Sequence, residues 1–388
     1  MRLAVAALVA LVAPAAAADP LRLRADALAT TQSPAGLLVV DADATPTSTL
    51  SAEAIVWTAA SPVPGERTGD VLVIALRART PDGRARAELG RFVATLGALR
   101  PLHIDGAAGH VRLPYRLDVE AYGGVPVLPE LGLGRSWDWA AGGRIARRIG
   151  DYGSAGVAFL EQRDDGRIAS EELGVDAGTQ LDARDDVAVK GAYDLANHGI
   201  AEISASASRH MTALRAELYA SYRAASHLLP ATSLFTVLGD VPSLRSGLVL
   251  TWRAAPRLDV IGDAGARHVD DGYAPAVTVR GQLRLDERGA SALSCELRRD
   301  GSPDDAWTGA RGTARIALAH DLTATSELEL MVPDHARGRG AVWPWALAAL
   351  GWNRGDWHAA LALEASASPE YRRRLDALVE LGRTWGKR

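Results

Sequence analysis

The sequence is poor in cysteine and in aromatic residues. Of its 388 residues one is a cysteine, Cys295, and aromatic side chains make up 5% of the chain, with three Phe. A single cysteine excludes an intramolecular disulfide framework, a zinc or iron–sulfur site built from cysteines, and covalent haem attachment. Charged residues at 23% and hydrophobic residues at 48% argue against wholesale disorder.

An excess of positive charge is also lacking. The chain has 43 basic and 47 acidic residues, for a formal net charge of −4. Proteins that bind nucleic acids carry a basic surface that matches the phosphates. We therefore expect no nucleic-acid partner.

The chain also lacks long apolar runs, and a short one lies at the N-terminus. Residues 1–18 read MRLAVAALVALVAPAAAA, in which Arg2 precedes an apolar run and then small residues. This order predicts a secretory signal peptide that is cleaved after Ala18, with a membrane anchor as the alternative. The run is shorter than the roughly 20 residues that span a bilayer as a helix. We thus expect a signal peptide over 1–18 and a single domain over 19–388.

The rest of the chain alternates between apolar and polar residues. From Ala276 to Asp286, valines, leucines and a glycine fall on one side, while Thr278, Arg280, Gln282 and Arg284 fall on the other. Period two belongs to a β-strand, whose successive side chains leave opposite faces. The pattern recurs in about twenty segments of about ten to thirteen residues between Leu21 and Trp385, which fits the roughly 9–11 residues of a tilted membrane-spanning strand.

The links between these segments give a second signal. Near the C-terminus, tight links such as Glu287–Gly289 and Asn353–Gly355 alternate with the longer links 224–244, 267–275, 300–306 and 332–340. Short periplasmic turns alternating with longer external loops are typical of outer-membrane barrels. An even strand number would place both termini in the periplasm. The sequence therefore predicts an all-β fold, a closed antiparallel transmembrane β-barrel of about 18–20 strands.

Closure into a barrel pairs every backbone group, which hydrocarbon requires. Leu, Val, Ala and Gly would face lipid, and Arg, Asp, Glu, Thr and Ser would face water. Cys295 would lie on the apolar side with Leu293 and Leu297. Tryptophans near predicted strand ends indicate interfacial girdles, with ordinary core packing as the alternative: Trp57, Trp137, Trp139, Trp252, Trp307, Trp343, Trp345, Trp352, Trp357 and Trp385.

With its signal, strands and turns, the chain resembles the Gram-negative outer-membrane β-barrels of the porin-like family. The stretch from Gly90-Arg91-Phe92-Val93 to His103-Ile104-Asp105-Gly106 is similar to a porin strand followed by an inward-set turn. The chain departs from the family in ending Trp385-Gly386-Lys387-Arg388 rather than on an aromatic residue. The resemblance implies a location in the bacterial outer membrane, contact with the lipid bilayer, and passage of small polar solutes.

The strand phase predicts which charged side chains line the lumen. Arginines and carboxylates on one face can pair across strands, and rings of charge set pore selectivity. His103 and Asp105 would form a polar cluster with Arg91 and Arg112, either at a constriction or holding a periplasmic turn. The predicted pore-lining residues are Arg91, Asp105, Arg280, Arg284, Arg311, Arg315, Glu327, Glu329, Arg372, Arg374, Asp376 and Glu380.

Motifs of catalysis, cofactor binding and metal binding are missing. There is no nucleophile elbow, no His-Glu-x-x-His and no P-loop. Seven histidines that could serve in catalysis are isolated in the sequence: His198, His210, His227, His268, His320, His335 and His358. The acidic stretch 268–272 fits a solvated turn better than a cation site. We therefore expect no enzyme activity, no cofactor and no metal site, with a hydrolase on the outer rim as the least favoured alternative.

The sequence favours a passive or weakly selective channel. The main alternative is a scaffolding barrel that houses a periplasmic or surface partner, such as an electron carrier. No large plug domain precedes the predicted strands, which argues against a gated active transporter. The apolar link 224–244 is predicted to fold into the mouth and narrow the pore, or to lie on the lipid rim.

Overall fold

The described part of the chain forms one closed antiparallel sheet of 22 strands. The computed structural model describes residues 21–31, 36–60, 69–127, 138–224, 243–269, 272–302, 305–335, 342–367 and 373–386. The strands are β1 (Leu21–Thr30), β2 (Gly36–Thr47), β3 (Leu50–Ala60), β4 (Gly69–Arg79), β5 (Ala85–Ala94), β6 (Leu102–Leu113), β7 (Leu117–Pro126), β8 (Trp139–Ile149), β9 (Gly153–Asp164), β10 (Arg167–Gln180), β11 (Asp185–Asp194), β12 (Gly199–His210), β13 (Leu214–Arg223), β14 (Ser243–Ala255), β15 (Leu258–Val269), β16 (Gly272–Arg284), β17 (Ala292–Ser302), β18 (Asp305–Ala319), β19 (Leu322–Pro333), β20 (Trp343–Arg354), β21 (Trp357–Ser366) and β22 (Arg374–Trp385).

Each strand pairs with its neighbours in the chain, and the first strand pairs with the last. The closing register runs from Leu23 opposite Trp385 to Thr30 opposite Leu378. Closure leaves no sheet edge, so every strand has hydrogen-bonded neighbours on both sides. The predicted all-β closed barrel is confirmed.

The links between strands differ in length between the two ends of the barrel, as the sequence predicted in part. At one end, the short-turn end, the links have two to five residues, for example 48–49, 114–116, 256–257 and 355–356, apart from the seven-residue link 285–291. The described chain begins and ends at this end, with β1 and β22. The other end, the long-loop end, carries the links 61–68, 95–101, 127–138 and 224–242. Two links predicted to be long are tight, because β15 extends to Val269 and β17 extends to Ser302.

Two strands were not expected. β2 begins with a continuous apolar run, Leu37 to Val40, which hides the alternation. β6 contains the stretch His103–Gly106 that the sequence predicted as an inward-set turn, and its glycines weaken the pattern. β6 and β7 are separated at 114–116, where Tyr115 and Arg116 adopt positive φ values.

Some predictions concern residues that lie outside the described ranges. They are the signal peptide 1–18, most of the link 224–244, Trp137 and Arg372. Within the described part of the chain there is no helix whose length and apolarity would let it traverse a bilayer.

Candidate functional site

The lumenal and outer faces of the wall can be told apart by burial and chemistry. On β9 and β10, Val157, Phe159, Leu173 and Val175 are exposed and form an apolar outer face. The alternate residues, among them Leu160 and Glu172, are buried on the other face. Because antiparallel partners share a face, the register carries this assignment around the whole barrel.

The link between β5 and β6, residues 95–101, folds inward from the long-loop end and packs on the lumenal wall. We call it the inward segment. Its Leu96 and Leu99 are 3% and 5% exposed, and they belong to a cluster with Phe92, Tyr122 and Leu160. This apolar cluster therefore lies inside the barrel. A lumen that held only water would be lined by polar side chains instead.

Two wall glycines make the close approach of the inward segment feasible. A Cβ atom at Gly174 would lie 2.8 Å from Cδ2 of Leu99, and one at Gly142 would lie 2.9 Å from Cδ1 of Leu96. Real Cβ atoms do not come this close to a neighbour. Glycine at these positions removes the side chain and lets the leucines rest on the backbone of the wall.

Charged groups hold the same segment. Arg100 Nε lies 2.9 Å from Glu172 Oε1, and the side chains are 12% and 2% exposed. Beside Gly97, Arg144 donates to Asp176 at 3.0 and 2.5 Å and to Glu120 at 3.2 Å. A buried ion pair with this geometry fixes register and position more than it adds stability.

The lumen therefore has two sides. The filled side, β4–β12, is covered by the inward segment and its apolar cluster. The charged side, β13–β22 with β1–β3, presents arginine–carboxylate pairs across adjacent strands. There Glu296 lies between Arg280 and Arg298, and Arg311 Nη2 lies 2.5 Å from Glu327 Oε1.

The charged side also contains polar aromatic groups and open space. Tyr219 donates to Asp263 at 2.9 Å, and Trp345 Nε1 donates to Glu364 at 2.7 Å. A cavity of about 370 Å³ opens between β16 and β19. It is lined mainly by polar side chains, among them Arg280, Gln282, Ser294, Glu296, Arg311, Thr313, Arg315 and Glu327.

Most of the predicted pore-lining residues share the lumenal face. That they line a conducting pore stays a prediction. On this face the strand register places Arg280, Arg284, Arg311, Arg315, Glu327, Glu329, Arg374, Asp376 and Glu380.

Arg91 and Asp105 lie on the outer face instead. They are register partners, joined by two hydrogen bonds of 2.7 and 2.8 Å, and Arg91 also bonds the carbonyl of Val71 at 2.9 Å. Their neighbours Leu89 and Val93 on the same face are 61% and 55% exposed. For Asp105 the prediction fails because β6 was read as a turn, so its strand phase was not available. Arg91 has the same strand phase as Leu89 and Val93 on β5, and it was assigned to the lumen together with Asp105.

The buried His103 also shares the outer face of β6 and lies beside this pair. Arg112, the fourth member of the predicted cluster, is on the lumenal face near Asp118, 3.6 Å away. The structure thus divides the predicted cluster between the two faces of the wall.

The tryptophans are also divided between the outer and the lumenal face of the wall. Trp139, Trp252, Trp352, Trp357 and Trp385 lie on the outer face near strand ends, and Arg383 stacks on the rings of the last two at 4.9 and 5.1 Å. This placement suits an interfacial girdle. By register, the lumenal face holds Trp57, Trp307, Trp343 and Trp345, which the girdle prediction had included.

Three histidines of the lumenal face have acidic partners. His110, His210 and His358 lie 3.2, 3.1 and 2.6 Å from Asp118, Asp186 and Asp26. At His210 both Ser208 and Asp186 approach the same ring nitrogen, Nε2. A catalytic triad uses both ring nitrogens, one for the serine and one for the carboxylate, so this cluster lacks triad geometry. Such pairs across strands were beyond sequence reasoning, since the partners are far apart in the chain or their strand phase was uncertain.

Cys295 precedes the lumenal Glu296 on β17, so its side chain lies on the other face of the strand. It is exposed there, on the apolar face with Leu293 and Leu297. This agrees with the predicted outward placement of the thiol.

The comparisons with known proteins concern the fold. No family model matches the chain, and no curated protein matches its sequence. The solved structure of the P pilus usher (PapC) translocation pore is similar with a TM-score of 0.55 at 9% identity, over 95% of this chain and 99% of that one. A ferric enterobactin receptor (PfeA) mutant from Pseudomonas aeruginosa gives a TM-score of 0.62 at 9% identity, over 95% and 81%. The chain thus has the fold of the outer-membrane β-barrels, and the similarity extends no further than the fold.

Proposed function

We propose that this protein is an outer-membrane channel through which small polar solutes pass along the charged side of the lumen. It is exported with a cleaved signal peptide, and its short-turn end faces the periplasm. The observation that carries the proposal is the division of the lumen: an apolar, wall-bound inward segment on one side and paired charges around a cavity on the other.

Strand number supports a partly filled lumen. Barrels of about 16–18 strands already leave an aqueous channel, and 22 strands leave a wider one unless it is filled. The inward segment occupies part of that width beside β7–β10. The remaining path is bordered by arginines and carboxylates, which replace the water around a polar solute.

The test is the conductance of purified, refolded protein in a planar bilayer, with ion selectivity measured under a salt gradient. Stepwise conductance increments with weak ion selectivity are expected. Protein that inserts with the heat-modifiable mobility of a folded barrel but gives no increments contradicts the channel. That result would favour the scaffolding alternative, in which a partner protein occupies the lumen.

A further inference from the structure

Three metal-ligating side chains meet where the barrel closes. Asp26 belongs to the first strand, β1, Glu380 to the last strand, β22, and His358 to β21 next to it. His358 Nε2 lies 2.6 Å from Asp26 Oδ1 and 3.4 Å from Glu380 Oε1, and the three donor atoms all lie within 4.8 Å of one another. The register places all three on the lumenal face.

The charge of this cluster favours a cation. Arg24 Nε lies 2.7 Å from Asp26 Oδ2, so the guanidinium holds the carboxylate by the oxygen that faces away from the histidine. Arg24 Nη2 is 3.4 Å from His358 Nε2 and 3.9 Å from Glu380 Oε1. One guanidinium against two carboxylates leaves a negative charge beside the imidazole. An arriving ion would displace only the Nη2 end of Arg24.

A glycine allows two of the donor side chains to come together. Gly382 is the register partner of both Asp26 and His358. A Cβ atom at Gly382 would overlap the His358 ring at Cε1 and Nε2 and the Asp26 Oδ1 atom. Because residue 382 has no side chain, the His358 ring and the Asp26 carboxylate can meet directly over the backbone of β22.

We infer that Asp26, His358 and Glu380 bind a divalent transition-metal ion of the Zn²⁺ type at the seam of the barrel. One imidazole nitrogen and two carboxylate oxygens are ligands that zinc accepts, and a fourth position stays open to lumenal water. His358 coordinates through Nε2, the ring nitrogen that faces both carboxylates. The ion joins the two ends of the chain across the β1–β22 pairing and stabilises closure.

The experiment is calorimetric titration of refolded, detergent-solubilised protein with Zn²⁺, without any conductance measurement. We expect one site per chain. His358→Ala should lower the affinity by more than about tenfold, because even the loss of a group outside the coordination sphere costs that much. Glu380→Gln should weaken binding in the same direction and serves if the histidine variant folds poorly. Both variants are checked for heat-modifiable mobility.

A matched control and a second readout separate this site from surface binding. His110→Ala removes another lumenal histidine with an aspartate partner and a nearby arginine, and it should leave Zn²⁺ affinity unchanged. Zn²⁺ should raise the unfolding temperature of the wild type, and chelation should reverse this, with no rise in His358→Ala. Equal affinity in the wild type and His358→Ala, or equal weakening in His110→Ala, overturns the inference.

Discussion

The filled side and the charged side of the lumen bury their side chains in different ways. On the filled side, Leu96 and Leu99 pack against wall residues such as Leu160, whose exposure is 0%. On the charged side, pairs such as Arg215 and Glu217 keep 49% and 32% of their side-chain surface in contact with water. The same alternating pattern thus supports an apolar core in one place and a wet wall in another.

The difference teaches that the inner face of this barrel is not set by the strands alone. Wall residues of the filled side include glycine and alanine at positions that the inward segment covers, such as Gly142, Ala158 and Gly174. Small residues give a flat surface on which leucine side chains rest, and burial of each leucine contributes about 1.5–3 kcal/mol. Where the segment does not reach, the wall has long charged side chains that water solvates.

The largest effect is expected from removing the apolar contacts of the inward segment. Each Leu-to-small substitution in a packed core costs about 2–5 kcal/mol, so Leu96→Ser with Leu99→Ser should release the segment from the wall. We expect single-channel conductance to rise and the long-loop half of the filled side to become accessible to water-soluble thiol reagents at an introduced Ala158→Cys. Leu328→Ser, at a leucine that is 53% exposed on the outer face of β19, is the control and should leave conductance unchanged. Conductance that stays the same in the double variant would mean that the segment does not narrow the path.

The buried ion pair gives the next largest effect. Glu172→Gln leaves Arg100 with a neutral partner in a site where the Glu172 side chain is 2% exposed. Removing one member of a buried pair costs about 3–5 kcal/mol, since the remaining charge stays buried without compensation. The measurement is the denaturant midpoint of the folded band on unheated gels. An unchanged midpoint would show that Arg100 finds water when Glu172 is neutral.

The two faces of one strand can be compared directly. Val279 on β16 is 47% exposed on the outer face, and its neighbour Thr278 is lumenal. Val279→Arg should destabilise the barrel by about 2–4 kcal/mol, the cost of an arginine at the midplane of a bilayer. Thr278→Arg should change stability little, because its charge reaches water. Refolding into lipid vesicles measures both, and equal losses would contradict the assignment of faces.

Most of the fold could be predicted from the sequence, but less of the candidate site could. Alternation over long segments such as Ala276–Arg284 predicts the barrel and its two faces, because burial between lipid and water acts on every residue. It fails where the local pattern is weak. The apolar start of β2 and the glycines of β6 conceal strands, and Asp105 was misplaced because β6 was read as a turn. The link 224–244 was singled out because it is unusually apolar for a link between strands. Leu96, Ala98 and Leu99 make the link 95–101 apolar in the same way, and this signal could have identified the inward segment.

Other parts of the site depend on the closed register, and no local pattern contains it. Asp26 and His358 come within 2.6 Å only because β1 pairs with β22. Glu172 is one of several alternating carboxylates in the sequence. It differs from Glu217 only because the inward segment covers it and carries Arg100 to within 2.9 Å of it.

The smallest effect on stability is expected from a Glu-to-Gln substitution on the charged side, the counterpart of Glu172→Gln on the filled side. Glu217→Gln removes the partner of Arg215, 2.9 Å away, in a pair that is open to water. Exposed ion pairs contribute less than about 1 kcal/mol, so the denaturant midpoint should stay close to that of the wild type, in contrast to Glu172→Gln. Loss of a lumenal negative charge should shift the reversal potential under a salt gradient toward anions, as charged rings set selectivity. A midpoint shift as large as that of Glu172→Gln would erase the distinction between the two sides, whereas an unchanged reversal potential would place the conducting path away from β13.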